Sequence, residues 1–443
     1  MKIVIAGAGI GGLATALSLH RAGFTDVVVY ERVSALRPLG VGINLLPHAV
    51  RELTELGLAE AAERIAVKPS RLSYYNRFGQ PIWSEPRGTE AGYSWPQLSV
   101  HRGEFQMLLV DEVRRRLGAD AIRLDSRLVG VEHGEQHEYA RFARASGEEF
   151  EVTADVFIAA DGIHSTLRAQ EYPEDGAPVW SGLVLWRGTA TVPAYLDGRT
   201  MIMAGDGEQK FVAYPLAPAD GDDPGSLRLN FIAERRAPEG TTELADWNLP
   251  IDPEPIVELF SEWTFDWLDV PATIAAADQI LEYPMVDREA LPAWRFGSSV
   301  LLGDAAHAMY PNGSNGASQA ILDARTLAFH LANGVAALGA SSGRPDAAST
   351  TAAIRTALDA YDADRRPATA RLLEMTRALG PERVMQLAYD RAPEGFADVH
   401  DVIPADELQQ IADDYKRTAG FHPSTLNERA SLSASVERGS VAD

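Results

Sequence analysis

Gly7-x-Gly9-x-x-Gly12 follows directly on the apolar run Lys2 to Ala6 and opens a segment with apolar residues at Ile10, Leu13, Ala14 and Leu17. That order is a strand, a tight turn and a helix. Gly7 permits the turn, Gly9 lets a pyrophosphate approach the backbone, and Gly12 allows close helix–strand packing. Gly23 ends the helix, and Asp26 leads into the second strand, Val27-Val28-Val29-Tyr30. A chain that begins this way is committed to a parallel, doubly wound sheet. Ile10 and Gly11 stand at the positive end of the helix, where anions are favoured. Glu31, with Arg32 beside it, ends the second strand where a carboxylate can accept from ribose hydroxyls. FAD and NAD both fit these residues.

A second strand end of the same kind lies far along the chain. The buried run Ser298 to Leu302 leads into Gly303-Asp304, then Pro311, then Gly313-Ser314-Asn315-Gly316-Ala317. Asp304 can hold a ribityl or ribose hydroxyl while Gly303 gives clearance. Pro311 stiffens the turn, and a helix is predicted from Asn315 to Leu331. Its small-residue start can lie against a flat ring and stabilise negative charge there. A third strand end, Val156–Ala160, carries Asp161-Gly162 with Ser165 and Arg168. Taken alone, that stretch is a Ser165 N-cap with a helical arginine ion pair.

Between these sites the texture changes. Leu72 to Trp83 is predicted to be a hairpin, Arg102 to Leu117 a helix, and Val152 to Ala160 a buried strand. From about 175 to 290, short β-rich runs alternate with Gly/Pro/Asp turns such as Ala219 to Gly225, the texture of an inserted antiparallel sheet. The expected fold is α/β: a Rossmann-like cofactor domain (1–72, 96–174 and 291–335), a substrate-binding β-sheet domain (73–95 and 175–290), and a helical region (336–420). Ala336 to Thr351 is predicted to be a small-residue linker and 421–443 a flexible tail.

The net charge of −23 disfavours nucleic acid and anionic membrane surfaces as partners. With no cysteine there is no thiolate nucleophile or thiolate metal site, and no metal is expected. No secretory leader or membrane-spanning run is evident, so a cytoplasmic location is expected. Whether the chain is a monomer or a dimer is left open.

The three strand-end sites, in this order, resemble the single-component FAD-dependent aromatic hydroxylases, the group A flavoprotein monooxygenases. The match comprises the GxGxxG turn, Asp161-Gly162 with Ser165 and Arg168, Gly303-Asp304, and His101-Arg102-Gly103-Glu104-Phe105-Gln106, whose arginine corresponds to one that contacts FAD in the family. The run from Gly313 to Ala324 is similar to the phenazine-type and salicylate-hydroxylase-like members. The resemblance implies the para-hydroxybenzoate-hydroxylase type of fold and tightly bound, non-covalent FAD. It also implies NADH or NADPH and O2 as co-substrates, and hydroxylation of a small aromatic ring through a C4a-hydroperoxyflavin, with or without decarboxylation. It assigns cofactor contacts to Gly7, Gly9, Ile10, Gly11, Gly12, Glu31, Arg32, Arg102, Asp161, Gly303, Asp304, Pro311, Gly313, Asn315, Gly316 and Ala317. Pro311, Asn315 and Gly316 fall at the flavin edge.

Asn44 and Tyr214 are the candidate substrate contacts. None of the ten histidines falls between 165 and 306, so a histidine base on the β-sheet domain is not expected. The corresponding expectation is a substrate that is activated without phenol deprotonation or arrives electron-rich, such as an N-heteroaromatic or an amino- or carboxy-substituted ring. Alternatives on the same fold are a halogenase, a reductase and a non-catalytic flavin-binding protein. The halogenase lacks its W-x-W-x-x-I-P run and has few lysines to draw on. An NAD-only dehydrogenase is a further alternative.

Overall fold

The computed structural model describes residues 1–218, 225–241, 249–339 and 346–436. Its first layer is a six-stranded sheet in the order Arg295–Phe296, Ser299–Leu301, Val156–Ala159, Lys2–Ala6, Asp26–Tyr30, Ile122–Arg123. All neighbours are parallel except the first pair. Ile3, Val4 and Ile5 are fully buried, as a parallel strand covered on both faces requires. Helices Ile10–Arg21, Arg102–Leu117 and Gly316–Gly339 pack together beside it.

The second layer is an eight-stranded sheet in the order Leu249–Ile251, Ala277–Asp287, Val179–Pro193, Ser226–Arg236, Gln209–Pro218, Thr200–Gly205, Arg71–Tyr75, Pro81–Pro86. It is antiparallel apart from Thr200–Gly205 against Arg71–Tyr75. One face packs Phe211, Phe231 and Ala213 against the short helices Glu254–Leu259 and Val270–Ala275. The opposite face carries Met201, Met203, Val212, Tyr214 and Ile232, and Val384, Met385 and Leu408 of the C-terminal helices join the same core. A small sheet of Gly42–Leu45, Leu98–His101 and Ala66–Val67 lies between the two large ones in the chain's path. The strand Arg71–Tyr75 straddles the expected 72/73 boundary.

Four expectations need correction. The run Val152 to Ala160 is two strands, Glu149–Ala154 and Val156–Ala159, because Asp155 turns aside to accept from the Lys2 amide at 2.7 Å. The helix predicted for 315–331 continues to Gly339. Most of the linker predicted for Ala336 to Thr351 is helix, since the next helix spans Ala347–Arg377, with alanine favouring continuation over a loop. Its residues 340–345, like the turn at 219–224, lie outside the described residues.

The tail is packed through residue 436, not flexible. Phe421 and Leu426 are buried, Arg429 pairs with the fully buried Glu52, Ser431 donates to Glu55 at 2.8 Å, and the Val436 amide donates to the Ala22 carbonyl at 2.8 Å. A serine-rich segment is held here because the buried Glu52 and half-buried Glu55 on another helix take up its Arg429 and serine donors. Residues 437–443 lie outside the described residues. Among the described residues no helix is long and apolar enough to cross a membrane.

Candidate active site

The glycine turn has the geometry its spacing demands. Gly7 has φ +103°, and a Cβ there would sit 2.3 Å from the Ala160 carbonyl oxygen. A Cβ on Gly12 would fall 2.0 Å from the Gly7 oxygen. Gly9, the helix N-cap, is different: a Cβ on it meets no protein atom within 4 Å, so the space above it is open. Glu31 accepts from the Ala8 amide at 2.7 Å and the Val33 amide at 3.1 Å, which ties the second strand's end to the glycine turn. Gln106, not singled out in the sequence, donates to the Ala8 carbonyl at 2.7 Å. Its place in the run after Arg102 was the available signal.

The Asp161 strand end comes to the same edge of the parallel sheet. Asp161 accepts from the Thr166 amide at 2.8 Å, while its Oδ1 is buried without a protein partner. Burial pushes this carboxyl up, against the Ser165 and Thr166 hydrogen bonds and the exposed Arg32. Ser165 caps the next helix by accepting from the Arg168 amide. Arg168 is fully buried and grips Asp175 at 2.7 Å and the Ala306 carbonyl at 3.0 Å. Its side chain therefore braces the third strand end and does not face the cavity.

At that third end, Gly303 has φ +61° and Asp304 is exposed. His307 bonds to Asp323 at 2.5 Å, Asp323 to Arg365 at 2.6 Å, Arg365 to Gln319 at 2.6 Å, and Gln319 to Asn315 at 3.2 Å. Burial opposes ionisation of Asp323, but His307 and Arg365 hold it down at about 2. This chain fixes the Gly303 turn relative to the helix start at Gly316. His307 is thereby a structural group. Gly313 has φ +76° and lies against Tyr415, while a Cβ on Gly316 meets nothing within 4 Å.

One cavity of about 380 Å³ joins these elements. Gly9, Ile10 and Gly11 line it from the first helix, Gly303 and Asp304 from the third strand end, and Pro311, Asn315, Gly316 and Ala317 from the loop and helix that follow. Arg102, exposed and close against Gly40, also lines it. Gly7, Gly12, Glu31, Arg32, Asp161 and Gly313 stand behind or beside this wall and do not form its lining.

The cavity continues beneath the eight-stranded sheet, whose register sorts the lining into rows. Tyr214 is opposite Asn230 and aligned with Met201, Val212 is opposite Ile232 and Met203, and Lys210 is opposite Glu234. Arg187 on the next strand is opposite Ile232. An apolar band of Met203, Val212 and Ile232 thus separates two polar ends about 13 Å apart along the strand. At one end burial pushes Tyr214 up to about 12 against the opposing pull of Arg187, to which it is hydrogen-bonded. Arg187 donates to the Gly42 carbonyl at 3.1 Å, lies over Tyr283 at 5.8 Å, and keeps a buried Nε without a partner. It has no carboxylate within ion-pair distance among the described residues.

At the other end Lys210 lies 3.2 Å from Glu234 and in direct contact with Glu382, all three side chains almost fully buried. This cluster was missed in the sequence. Lys210 alternates with Val212 and Tyr214, so the period-two rule placed it on their face, but its two partners are distant in the chain. Asn44 is buried in the cavity wall, its carbonyl oxygen accepting from Ser99 at 2.6 Å and Gln97 at 3.3 Å. His48 is fully buried, stacks on Phe421 at 5.2 Å and is pushed down to about 3 by burial, then by Arg429 and Arg365. No histidine lines the cavity, and the described residues contain no group of three or more His, Cys, Asp or Glu suited to a metal.

Comparison with known proteins gives the same picture from outside. The model of the FAD binding domain family matches residues 1–176 and 269–376, leaving most of the eight-stranded sheet between its two blocks. The chain is 42% identical over 383 residues to phenazine 1,6-dicarboxylic acid hydroxylase PhzS of Lysobacter antibioticus, covering 85% of this chain and 89% of that one. It is 29% identical to 6-hydroxynicotinate 3-monooxygenase of Bordetella bronchiseptica, covering 74% and 81% respectively. Among solved structures, Klebsiella pneumoniae HpxO complexed with FAD and uric acid superposes with a TM-score of 0.69 at 23% identity, over 94% of this chain and 96% of that one.

Proposed function

The chain belongs to the FAD-dependent aromatic hydroxylases, the group A flavoprotein monooxygenases, and from that premise we propose that its substrate is an N-heteroaromatic carboxylic acid of the phenazine kind. The family acts on small aromatic or heteroaromatic rings, with FAD as cofactor and NAD(P)H and O2 as the typical co-substrates. The observation that carries the finer reading is one continuous cavity running from the glycine turn to an apolar band, with Arg187, which has no carboxylate partner among the described residues, at its edge.

The residues present suit FAD. The open space over Gly9 and Gly316 admits a ligand that a side chain would exclude, and the buried Asp161 Oδ1 lacks a donor that a hydroxyl would supply. In our reading Gly7 to Gly12 cradle the pyrophosphate at the helix N-terminus, and Glu31 and Arg32 attend the adenosine ribose. Arg102, Asp161, Gly303 and Asp304 hold the middle of the cofactor. Pro311 stiffens the turn, and Gly313, Asn315, Gly316 and Ala317 present backbone N–H groups to the ring edge. When bound, FAD supplies the redox chemistry that activates O2. The protein's share is to orient the ring to be oxidised, exclude water and favour negative charge at the helix start.

The Met203, Val212 and Ile232 band takes the faces of a fused aromatic ring. Arg187, half-buried and hydrogen-bonded to Tyr214, takes a carboxylate, because its buried Nε has no protein partner and no carboxylate of the described residues neutralises it. We assign residues 1–72, 96–174 and 291–335 to the cofactor domain and 73–95 with 175–290 to the substrate domain. A cytoplasmic setting is compatible with the cysteine-free composition.

The test is to supply holoprotein with NADH or NADPH and phenazine-1,6-dicarboxylic acid. We expect stimulated NAD(P)H oxidation and a hydroxylated product by mass, whose mass also reports any decarboxylation. Oxidation unaffected by this acid and by simpler aromatic acids would overturn the substrate assignment.

A further inference from the structure

The cavity has a charged end that the cofactor does not need. Lys210 on strand Gln209–Pro218 lies between Glu234 on strand Ser226–Arg236 and Glu382 at the end of the turn Gly380–Glu382. All three line the cavity, each side chain about 4% exposed. Two carboxylates and one ammonium leave one negative charge in excess. Burying charge this way is costly and adds nothing that an apolar trio would lack in packing. The excess charge therefore points to a function.

We propose that Lys210, Glu234 and Glu382 form the proton-accepting end of the substrate cavity, taking a proton from an O–H or N–H group of the bound aromatic ring. The substrate's X–H bond breaks, an O–H bond forms on a Glu234 or Glu382 oxygen, and the electron pair stays on the ring. The ring becomes more electron-rich and the cluster becomes neutral. Lys210 is the positioning residue. Burial alone would lower its pKa, but the two carboxylates hold it above its usual range, so it stays an ammonium. Burial pushes Glu234 up, against Lys210, so its carboxyl holds a proton more readily than an exposed one.

Arg236 faces Glu234 from the same strand, but its guanidinium is engaged by Glu208 at 2.8 Å. Tyr74, from the strand Arg71–Tyr75, and Tyr415, from helix Ala405–Thr418, face Glu382 and stay neutral, both being pushed up by burial. The cluster thus supplies what the histidine-free sheet lacks, and it replaces the expectation of a substrate activated without deprotonation. Its excess charge also selects: this end favours a hydrogen-bond donor, a protonated second carboxyl included, or a cationic nitrogen over an anion.

The inference rests on the monooxygenase reading, and the experiment separates the two. The holoenzyme and its Glu234→Gln and Glu382→Gln variants are titrated with 6-hydroxynicotinate, which carries a donor, and with phenazine, which carries none. Flavin absorbance reports binding across about pH 5 to 9, a range that takes in ordinary and raised carboxyl values. We expect 6-hydroxynicotinate to bind the parent with a pH-dependent affinity. That dependence should vanish in at least one Gln variant, with a loss of about tenfold or more, as for one charge-assisted hydrogen bond. Phenazine binding should be unchanged. Equal pH profiles in parent and both variants, or no preference of the parent for the donor-bearing ring, would overturn the cluster's role. Absence of ring-stimulated NAD(P)H oxidation in the parent would instead count against the monooxygenase reading, because the binding titration stands without turnover.

Discussion

The Asn315 side-chain amide donates to the Tyr415 hydroxyl at 2.5 Å, so a residue lining the cavity is held by a helix 100 positions further on. Gly313 lies directly beneath the same hydroxyl, where a Cβ would come within 1.9 Å of it. The C-terminal helix Ala405–Thr418 thus braces the cavity wall from behind.

Tyr415→Phe removes one buried hydrogen bond and is expected to lower stability by about 1 kcal/mol and to weaken flavin retention a few-fold. Gly313→Ala meets both the hydroxyl and a positive φ, and is expected to cost about 2 kcal/mol or more. Flavin content after gel filtration and urea unfolding check both. A Gly313→Ala protein as stable and as yellow as the parent would remove Tyr415's bracing role.

Asp304→Ala is expected to purify largely without flavin, because its carboxylate is the exposed acid at the third strand end of the cavity. The absorbance ratio of flavin to protein measures it. A fully yellow variant would refute the role assigned to Asp304.

Arg187→Met should leave flavin bound while raising the KM for phenazine-1,6-dicarboxylic acid by about tenfold or more, the worth of a charge-assisted contact. Steady-state kinetics decide it. An unchanged KM would place the carboxylate elsewhere.

His48 titrates near 6.5 when unfolded and is held down to about 3 in the fold, chiefly by burial. A depressed folded pKa means that the stabilisation is complete above 6.5 and is lost as pH falls toward 3, because the unfolded chain takes up the proton first. Between pH 7.5 and 5 this costs about 2 kcal/mol. In His48→Phe, which keeps a ring against Phe421, that difference in urea-unfolding free energy should shrink by about the same amount.

The elements legible in the sequence are those whose signal is local. The turn at Gly7 to Gly12 is encoded by spacing alone, and the ends of the strands at Asp161 and Gly303 follow from an apolar run and the residues just after it. The charged cavity end was not legible, because Lys210 and Glu234 meet only through strand register and Glu382 arrives from a turn in the C-terminal region. The packed tail was missed for a related reason. Its composition is that of a disordered segment, and what orders it is Glu52 and Glu55 on a helix near the other end of the chain. The helix extents around 336–351 failed on a simpler point, since alanine-rich sequence reads as linker or helix alike.

The most direct test of the central claim is isotopic. Holoprotein, NAD(P)H and phenazine-1,6-dicarboxylic acid are combined under heavy-isotope dioxygen, and the product is weighed by mass spectrometry. The account predicts that the new hydroxyl carries one labelled oxygen atom. A hydroxyl drawn from water, or NAD(P)H oxidation that yields only hydrogen peroxide with every ring tried, would contradict it.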